Sequence, residues 1–220
     1  MNITWYGQTC FRIIAQGEKN GSEPINILID PLEKGTGLHS PKLEADVLLI
    51  TSNGKKGPLV VRGISEKTAF LVNGPGEYDI KEAYIQGILA SIKDKKGEVF
   101  GNTIYVIEVE GIKICHLGLL NQIELNSQQL EKIGDVDILM VPIGGDKAVD
   151  AKGAIKIMSQ IEPRITIPMY YKLPKLKVKL RGLNEFFKTL GIKSLQSLPK
   201  LSIKKKDISQ QEPKIIILES

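Results

Sequence analysis

At 220 residues, with 42% hydrophobic and 25% charged side chains, the chain has the length for one sizeable core and an ordinary globular composition. No apolar run approaches the roughly 18 residues a membrane helix needs, and Met1-Asn2-Ile3-Thr4-Trp5 enters a strand pattern with no leader-like segment, so neither a transmembrane helix nor a signal peptide is expected. The net charge of +5 is compatible with an acidic partner; two cysteines exclude a disulfide framework and fit a reducing, cytoplasmic setting; and two histidines, His39 and His116, are too few for a histidine-built dinuclear metal centre.

In chain order, segments 2–6, 10–15, 25–30, 46–51, 68–72, 83–89, 103–109 and 112–117 are rich in Ile, Val, Leu and Thr and are separated by Gly, Asn and Asp clusters, which predicts strands. Residues 17–23 and Lys93-Asp94-Lys95-Lys96-Gly97 read as polar turns. Cys10 and Cys115 fall in apolar strands and read as small buried residues. Helices come later. Asn126-Ser127-Gln128-Gln129 offers an N-cap with Gln three residues on, opening a helix to Ile133. Ala151, Ala154, Ile155, Met158 and Ile161 recur at helical spacing, and Pro163 stops that helix. Leu183, Phe186, Phe187 and Leu190 give a third helix, closed by Gly191. Strands are expected after these helices, at 136–141, 164–167 and 215–218. Strands first and helix–strand alternation second suits two facing sheets with helices outside, all in one domain spanning 1–220.

The basic charge is concentrated. Residues 172–206 hold eleven Lys/Arg and one acid, Glu185, a surplus of ten; the remainder of the chain is therefore at −5. Within that segment Lys175, Lys177 and Lys179 alternate with Leu176, Val178 and Leu180, the period of an edge strand with one charged face. Only Arg181 is Arg, and no aromatic platform interleaves the lysines, so nucleic acid is expected to bind weakly if at all, with strong salt dependence. Nucleotide and serine-nucleophile motifs are missing: Gly74-Pro75-Gly76 lies between strands, Gly144-Gly145 lacks a third glycine, and there is no P-loop and no G-x-S-x-G.

Several segments, in order, carry a resemblance. They are Ile3-Thr4-Trp5-Tyr6-Gly7-Gln8-Thr9-Cys10-Phe11-Arg12-Ile13, Ile27-Leu28-Ile29-Asp30-Pro31, Asn73-Gly74-Pro75-Gly76-Glu77-Tyr78-Asp79, Gly111-Ile112-Lys113-Ile114-Cys115-His116-Leu117-Gly118, Asp137-Ile138-Leu139-Met140-Val141-Pro142 and Pro163-Arg164-Ile165-Thr166-Ile167-Pro168-Met169-Tyr170-Tyr171. Together they resemble the metallo-β-lactamase superfamily, in its ascorbate-phosphate-lactonase-like branch of predicted Zn-dependent hydrolases. The resemblance covers essentially the whole chain. It implies an α/β fold, an αββα four-layer sandwich of two mixed sheets flanked by helices.

The same resemblance implies where metal ligands belong, and this chain departs at each place. The family's strand after Ala45 ends in Thr-His-x-His-x-Asp-His; here Thr51 is followed by Ser52, Gly54, Lys56 and Gly57 at the ligand positions. The opening motif's His is Gln8, the bridging Asp of H-L-G-D is Leu119, and the late His of I-P-M-H-Y is Tyr170. No His stands near Ile92, where a middle ligand belongs. His116 matches a family histidine but lacks partners. His39 lies in a loop.

Asp30, Glu77, Lys55, Lys56, His116 and Tyr170 are expected near the family's active-site face. Asp30 reads as a turn cap and Glu77 as a tie to hairpin amides. Lys55 and Lys56, in a Gly-flanked loop, suit a phosphate or carboxylate. Thr51 and Ser52 bring hydroxyls whose only histidine within reach is His116. Tyr170 and Leu119 are expected to fill the space the metals leave. The resulting expectation is a metal-free, cofactor-free pseudoenzyme of metallo-β-lactamase fold, retained to bind a small anionic ligand or a protein partner, including a second copy of itself, and with no membrane role. Two alternatives stay open: a hydrolase working with altered or no metals, and weak nucleic-acid binding through the basic third.

Overall fold

In the computed structural model of the chain, residues 1–17, 23–32, 35–38, 44–52, 69–93, 99–208 and 212–220 are described. The first half is strand: β1 (Asn2–Trp5), β2 (Phe11–Ala15), β3 (Ile25–Ile29), β4 (Val47–Leu49), β5 (Phe70–Val72), β6 (Gly76–Ile80), β7 (Ala83–Lys93), β8 (Val99–Val109) and β9 (Ile112–His116). The second half alternates: α1 (Ser127–Ile133), β10 (Ile138–Pro142), α2 (Ala151–Ile161), β11 (Ile165–Met169), α3 (Leu183–Leu190), β12 (Ser197–Leu198), β13 (Leu201–Ser202), α4 (Lys205–Ile208), β14 (Lys214–Ile215) and β15 (Ile217–Leu218).

Two mixed sheets result. One runs β13-β1-β2-β3-β4-β5 and the other β14-β11-β10-β9-β8-β7-β6; β12 and β15 pair separately. In the first sheet β3, β4 and β5 are parallel; in the second β14, β11, β10 and β9 are. The remaining pairings within the two sheets are antiparallel. Burial follows from this. β2 alternates buried and half-buried residues, with Phe11, Ile13 and Ala15 turned into the core. β10 and β11 are buried at every position, as parallel strands covered on both faces must be. One apolar cluster joins the facing sides of the two sheets, through Trp5, Phe11, Ile27 and Leu49 and through Ile85, Tyr105, Ile107 and Ile114.

The helices begin and end where the local chemistry puts them. Asn126 and Gln129 form a reciprocal capping box at α1, Asp150 caps α2 through the Gly153 amide, and Gly191 closes α3 in a left-handed conformation. α1 packs on β7, α2 on β10, and α3 on α2. None of the described helices makes a comparable contact with the six-stranded sheet, whose second apolar cluster comprises Cys10, Leu28, Leu32, Ala45, Leu48 and Ile50. No helix among the described residues is long and apolar enough to cross a membrane.

One expectation needs correction. The alternation at 175–180 does not make a strand: after Pro174, Lys175 takes a φ of 65°, and the Leu176 and Lys177 amides donate to Leu173 and Thr36 carbonyls instead of to a ladder. Gly76–Ile80, which is not among the expected strands, forms an edge strand paired with β7. The β7–β8 hairpin is also longer than its apolar patterns indicate, pairing Tyr84 with Glu108 through to Lys93 with Val99.

Candidate functional site

Parallel strands deliver their loops to one end of a sheet, and in α/β proteins ligands gather outside the carboxyl ends of such strands. Here both sheets contribute. The loop before β2 brings Gln8 and Thr9, the end of β3 brings Asp30, and the end of β4 brings Thr51 and Ser52. From the opposite sheet come Leu119 after β9, Lys147 after β10 and Tyr170 after β11. Together with Pro31, Leu32, Thr36 and Ile50 they line a cleft of about 190 Å³.

The rim is unusual in its backbone. Gln8, Asp30 and Tyr170 have φ of 52°, 44° and 52°, a left-handed conformation that non-glycine residues avoid. Neighbours hold them there. The Gln8 carbonyl accepts from Trp5 Nε1 at 3.0 Å and from the Tyr170 amide at 3.1 Å. Asp30 is fixed at both ends: its amide donates to Leu49 O at 3.0 Å, while its carboxylate accepts from the Thr51 amide at 2.8 Å and from Thr51 Oγ1 at 2.6 Å. Strain of this kind concentrates at functional sites.

The floor below the rim is a closed hydrogen-bond system. His116 is fully buried, edge-on to the Phe11 ring at 5.7 Å. The Gly118 amide donates to its Nδ1 at 3.2 Å, so Nε2 carries the proton and donates to Thr9 O at 3.0 Å. Burial pushes its pKa below the ordinary value, against the opposing pull of Asp30 and Thr9. Asn102, also fully buried, accepts from the Leu119 amide at 2.9 Å and donates to Leu117 O at 3.0 Å. Tyr105 reaches across from β8 and donates to Ile50 O at 2.9 Å, tying the second sheet to the end of β4. The thiol of Cys10 is pushed up to about 12 by burial and then by Asp30, and the Tyr170 hydroxyl up to about 12 by burial and then by Asp146. Neither is a ready nucleophile near neutral pH.

Of the residues singled out in the sequence, Gln8, Asp30, Ser52, Leu119 and Tyr170 come together in the cleft. His116 lies beneath it with both nitrogens committed, so the pairing of His116 with Ser52 as a base does not form. Glu77 does not line the cleft; it is exposed on β6, within electrostatic reach of the Tyr84 hydroxyl. Gly54, Lys55, Lys56 and Gly57, and His39 with them, lie outside the described residues. The sequence reading missed Lys147 and Thr36. Lys147 had a usable signal: it follows the Gly144-Gly145 turn at the carboxyl end of a buried parallel strand.

A family model described as the β-lactamase superfamily domain matches residues 2–170. The chain belongs to this superfamily. It packs two mixed sheets face to face, and its cleft lies at the ends of strands from both. Among its relatives, a UPF0173 metal-dependent hydrolase of Thermoplasma volcanium is 28% identical over 199 residues, covering 78% of this chain and 83% of the relative. A UPF0173 protein of Pyrococcus abyssi is 29% identical over 194 residues, with 78% and 83% covered. Among solved structures, a Thermotoga maritima protein described as a candidate Zn-dependent hydrolase of the metallo-β-lactamase superfamily superposes with a TM-score of 0.75 at 29% identity, covering 99% of this chain and 98% of that one.

The metal chemistry in those names requires a donor set. Structural or catalytic zinc takes His, Cys or carboxylate ligands with free lone pairs. In this member of the superfamily the described cleft offers one carboxylate, Asp30, and two hydroxyl-bearing residues after β4, while the one described imidazole has no free nitrogen. Among the described residues no three His, Cys, Asp or Glu side chains are placed to share a metal ion. The described residues therefore do not fit the family's metal pair.

Proposed function

We propose that this superfamily member is a binding protein rather than a metal-dependent hydrolase, and that its cleft takes a small polar ligand with an anionic group. The observation that carries this reading is His116: both of its nitrogens are spent on Thr9 and Gly118, inside a fold whose other described ligand positions hold Gln8, Ser52, Leu119 and Tyr170. The anionic preference is supported by the donors on the cleft wall, the Gln8 amide and the Lys147 ammonium.

Protein purified without added metal is expected to carry no stoichiometric zinc, iron or manganese by elemental analysis, and to show no phosphodiesterase or lactonase turnover that a chelator abolishes. One or more transition-metal ions per chain, lost on substituting His116, would overturn the proposal. It would favour the second reading, a hydrolase with an altered site, which rests on the hydrolase names of the relatives.

The basic segment supports only a minor role in nucleic-acid binding. Lys175, Lys177 and Lys179 are exposed on an irregular loop, not arrayed on a strand. Binding of RNA or DNA is expected to be weaker than micromolar at about 150 mM salt, and to fall steeply as salt is raised from a low level. Submicromolar binding at that salt, weakened by charge reversal at those three lysines, would replace the cleft with this surface as the functional one.

A further inference from the structure

We infer that the ligand of this cleft is a small zwitterion, a molecule whose ammonium meets Asp30 and whose carboxylate meets Lys147 and Gln8. The inference rests on the binding reading above and narrows it to one chemical class.

Charge is the first argument. Among the described residues the cleft is lined by one carboxylate and one ammonium, Asp30 and Lys147, and neither has an ion-pair partner among those residues. The carboxylate of Asp30 cannot turn away, because Thr51 holds one oxygen through its amide and the other through its hydroxyl. Those two bonds use about half of a carboxylate's acceptor positions, so each oxygen still has room for a donor from a ligand. A bare anion in so small a space would lie roughly 6 Å from this fixed charge and lose about a hundredfold in affinity at an effective dielectric of about 20. An ammonium on the same ligand reverses that effect.

An unsatisfied donor is the second argument. Gln8 Nε2 is buried and has no hydrogen-bond partner, although buried polar atoms are almost always satisfied. Gln8 lines the cleft beside Tyr170, whose amide bonds its carbonyl. A ligand carboxylate would supply the missing acceptor, and Lys147 would balance its charge. The third argument is size. The cleft volume of about 190 Å³ corresponds to about six waters, the scale of a small amino acid.

The test is calorimetric titration of the full-length protein with β-alanine, glycine and threonine, beside acetate, inorganic phosphate and ethylamine. At least one zwitterion is expected to bind ten or more times tighter than acetate, phosphate and ethylamine. Lys147→Gln, a change at an exposed side chain, is expected to weaken that binding at least tenfold without moving the thermal midpoint. Asp30→Asn is expected to weaken it further; should that variant fail to fold, Lys147→Gln and Gln8→Leu carry the test. If acetate or phosphate binds as tightly as the zwitterions, the inference falls while the binding reading stands. If none of the six probes binds, both fall.

Discussion

Replacing Gly118 by Ala is expected to destabilise the protein by about 3 kcal/mol, combining a left-handed residue at about 1–2 kcal/mol with an overpacking term of about 1–3 kcal/mol. Gly118 has a φ of +61°, and a Cβ there would stand 2.4 Å from Asn102 Oδ1 and 2.8 Å from Thr51 Cβ. Neither neighbour has anywhere to go. Asn102 is fully buried and bonded on both sides, to the Leu119 amide and Leu117 O. Thr51 is clamped by Asp30, and its carbonyl accepts from the Thr103 amide at 2.7 Å. For a chain of this length the thermal midpoint should drop by roughly 6–12 °C. Gly111 is the control, with a φ of +65° and open space around its missing Cβ. Gly111→Ala should therefore show only the conformational part, about 1–2 kcal/mol. Equal losses in the two variants, read from denaturant midpoints, would refute the role given to the Asn102–Thr51 contact.

The second large effect is in the acid range. In the folded state burial keeps His116 neutral, with its pKa below the ordinary histidine value of 6.5. The unfolded chain protonates this ring as pH falls past about 6.5, so below that point the unfolded state binds more protons than the folded one. The sign follows: stability is intact above pH 6.5 and declines as pH falls, by up to about 1.4 kcal/mol per pH unit, until the folded ring itself titrates. Exposed carboxylates contribute to the same range, so the quantity to measure is the difference between wild type and His116→Gln. That variant should be less stable at pH 7.5, since it disturbs the bonds to Thr9 and Gly118, and should have a flatter profile between pH 6.5 and 5. Parallel profiles would mean that His116 is not held neutral.

What could be read in the sequence was local. The Asn126–Gln129 capping box and the Gly191 stop depend on residues three or four apart, and each formed as expected. The apolar runs at 136–141 and 164–167 announced strands in the same way, and the structure buries β10 and β11 at every position. Where the outcome depended on distant pairing, the sequence was silent. Glu77 sits in a segment that resembles a family hairpin, but its direction was decided by pairing opposite Gln86, which turned it toward Tyr84 and away from the cleft. The alternating lysines after Pro174 have the period of a strand but no free edge to join, and the left-handed Lys175 sends the chain into a turn. Gln8, Asp30, Leu119 and Tyr170 were placed by resemblance, through the motifs around them. Lys147 has no such motif, and it reaches the cleft only because β10 ends beside β11.

The left-handed rim bears on how any ligand would arrive. Three non-glycine residues held in that conformation represent about 3–6 kcal/mol of local strain, a large share of the roughly 5–15 kcal/mol net stability of a domain. Folding, not binding, sets these backbone angles, because the Trp5, Leu49 and Thr51 contacts that enforce them are internal to the protein. A molecule entering the cleft therefore meets a backbone already in its final shape and has little chain entropy to remove. Its association should show a small conformational penalty and a rate limited by access rather than by rearrangement, so that differences between ligands appear mainly in how fast they leave.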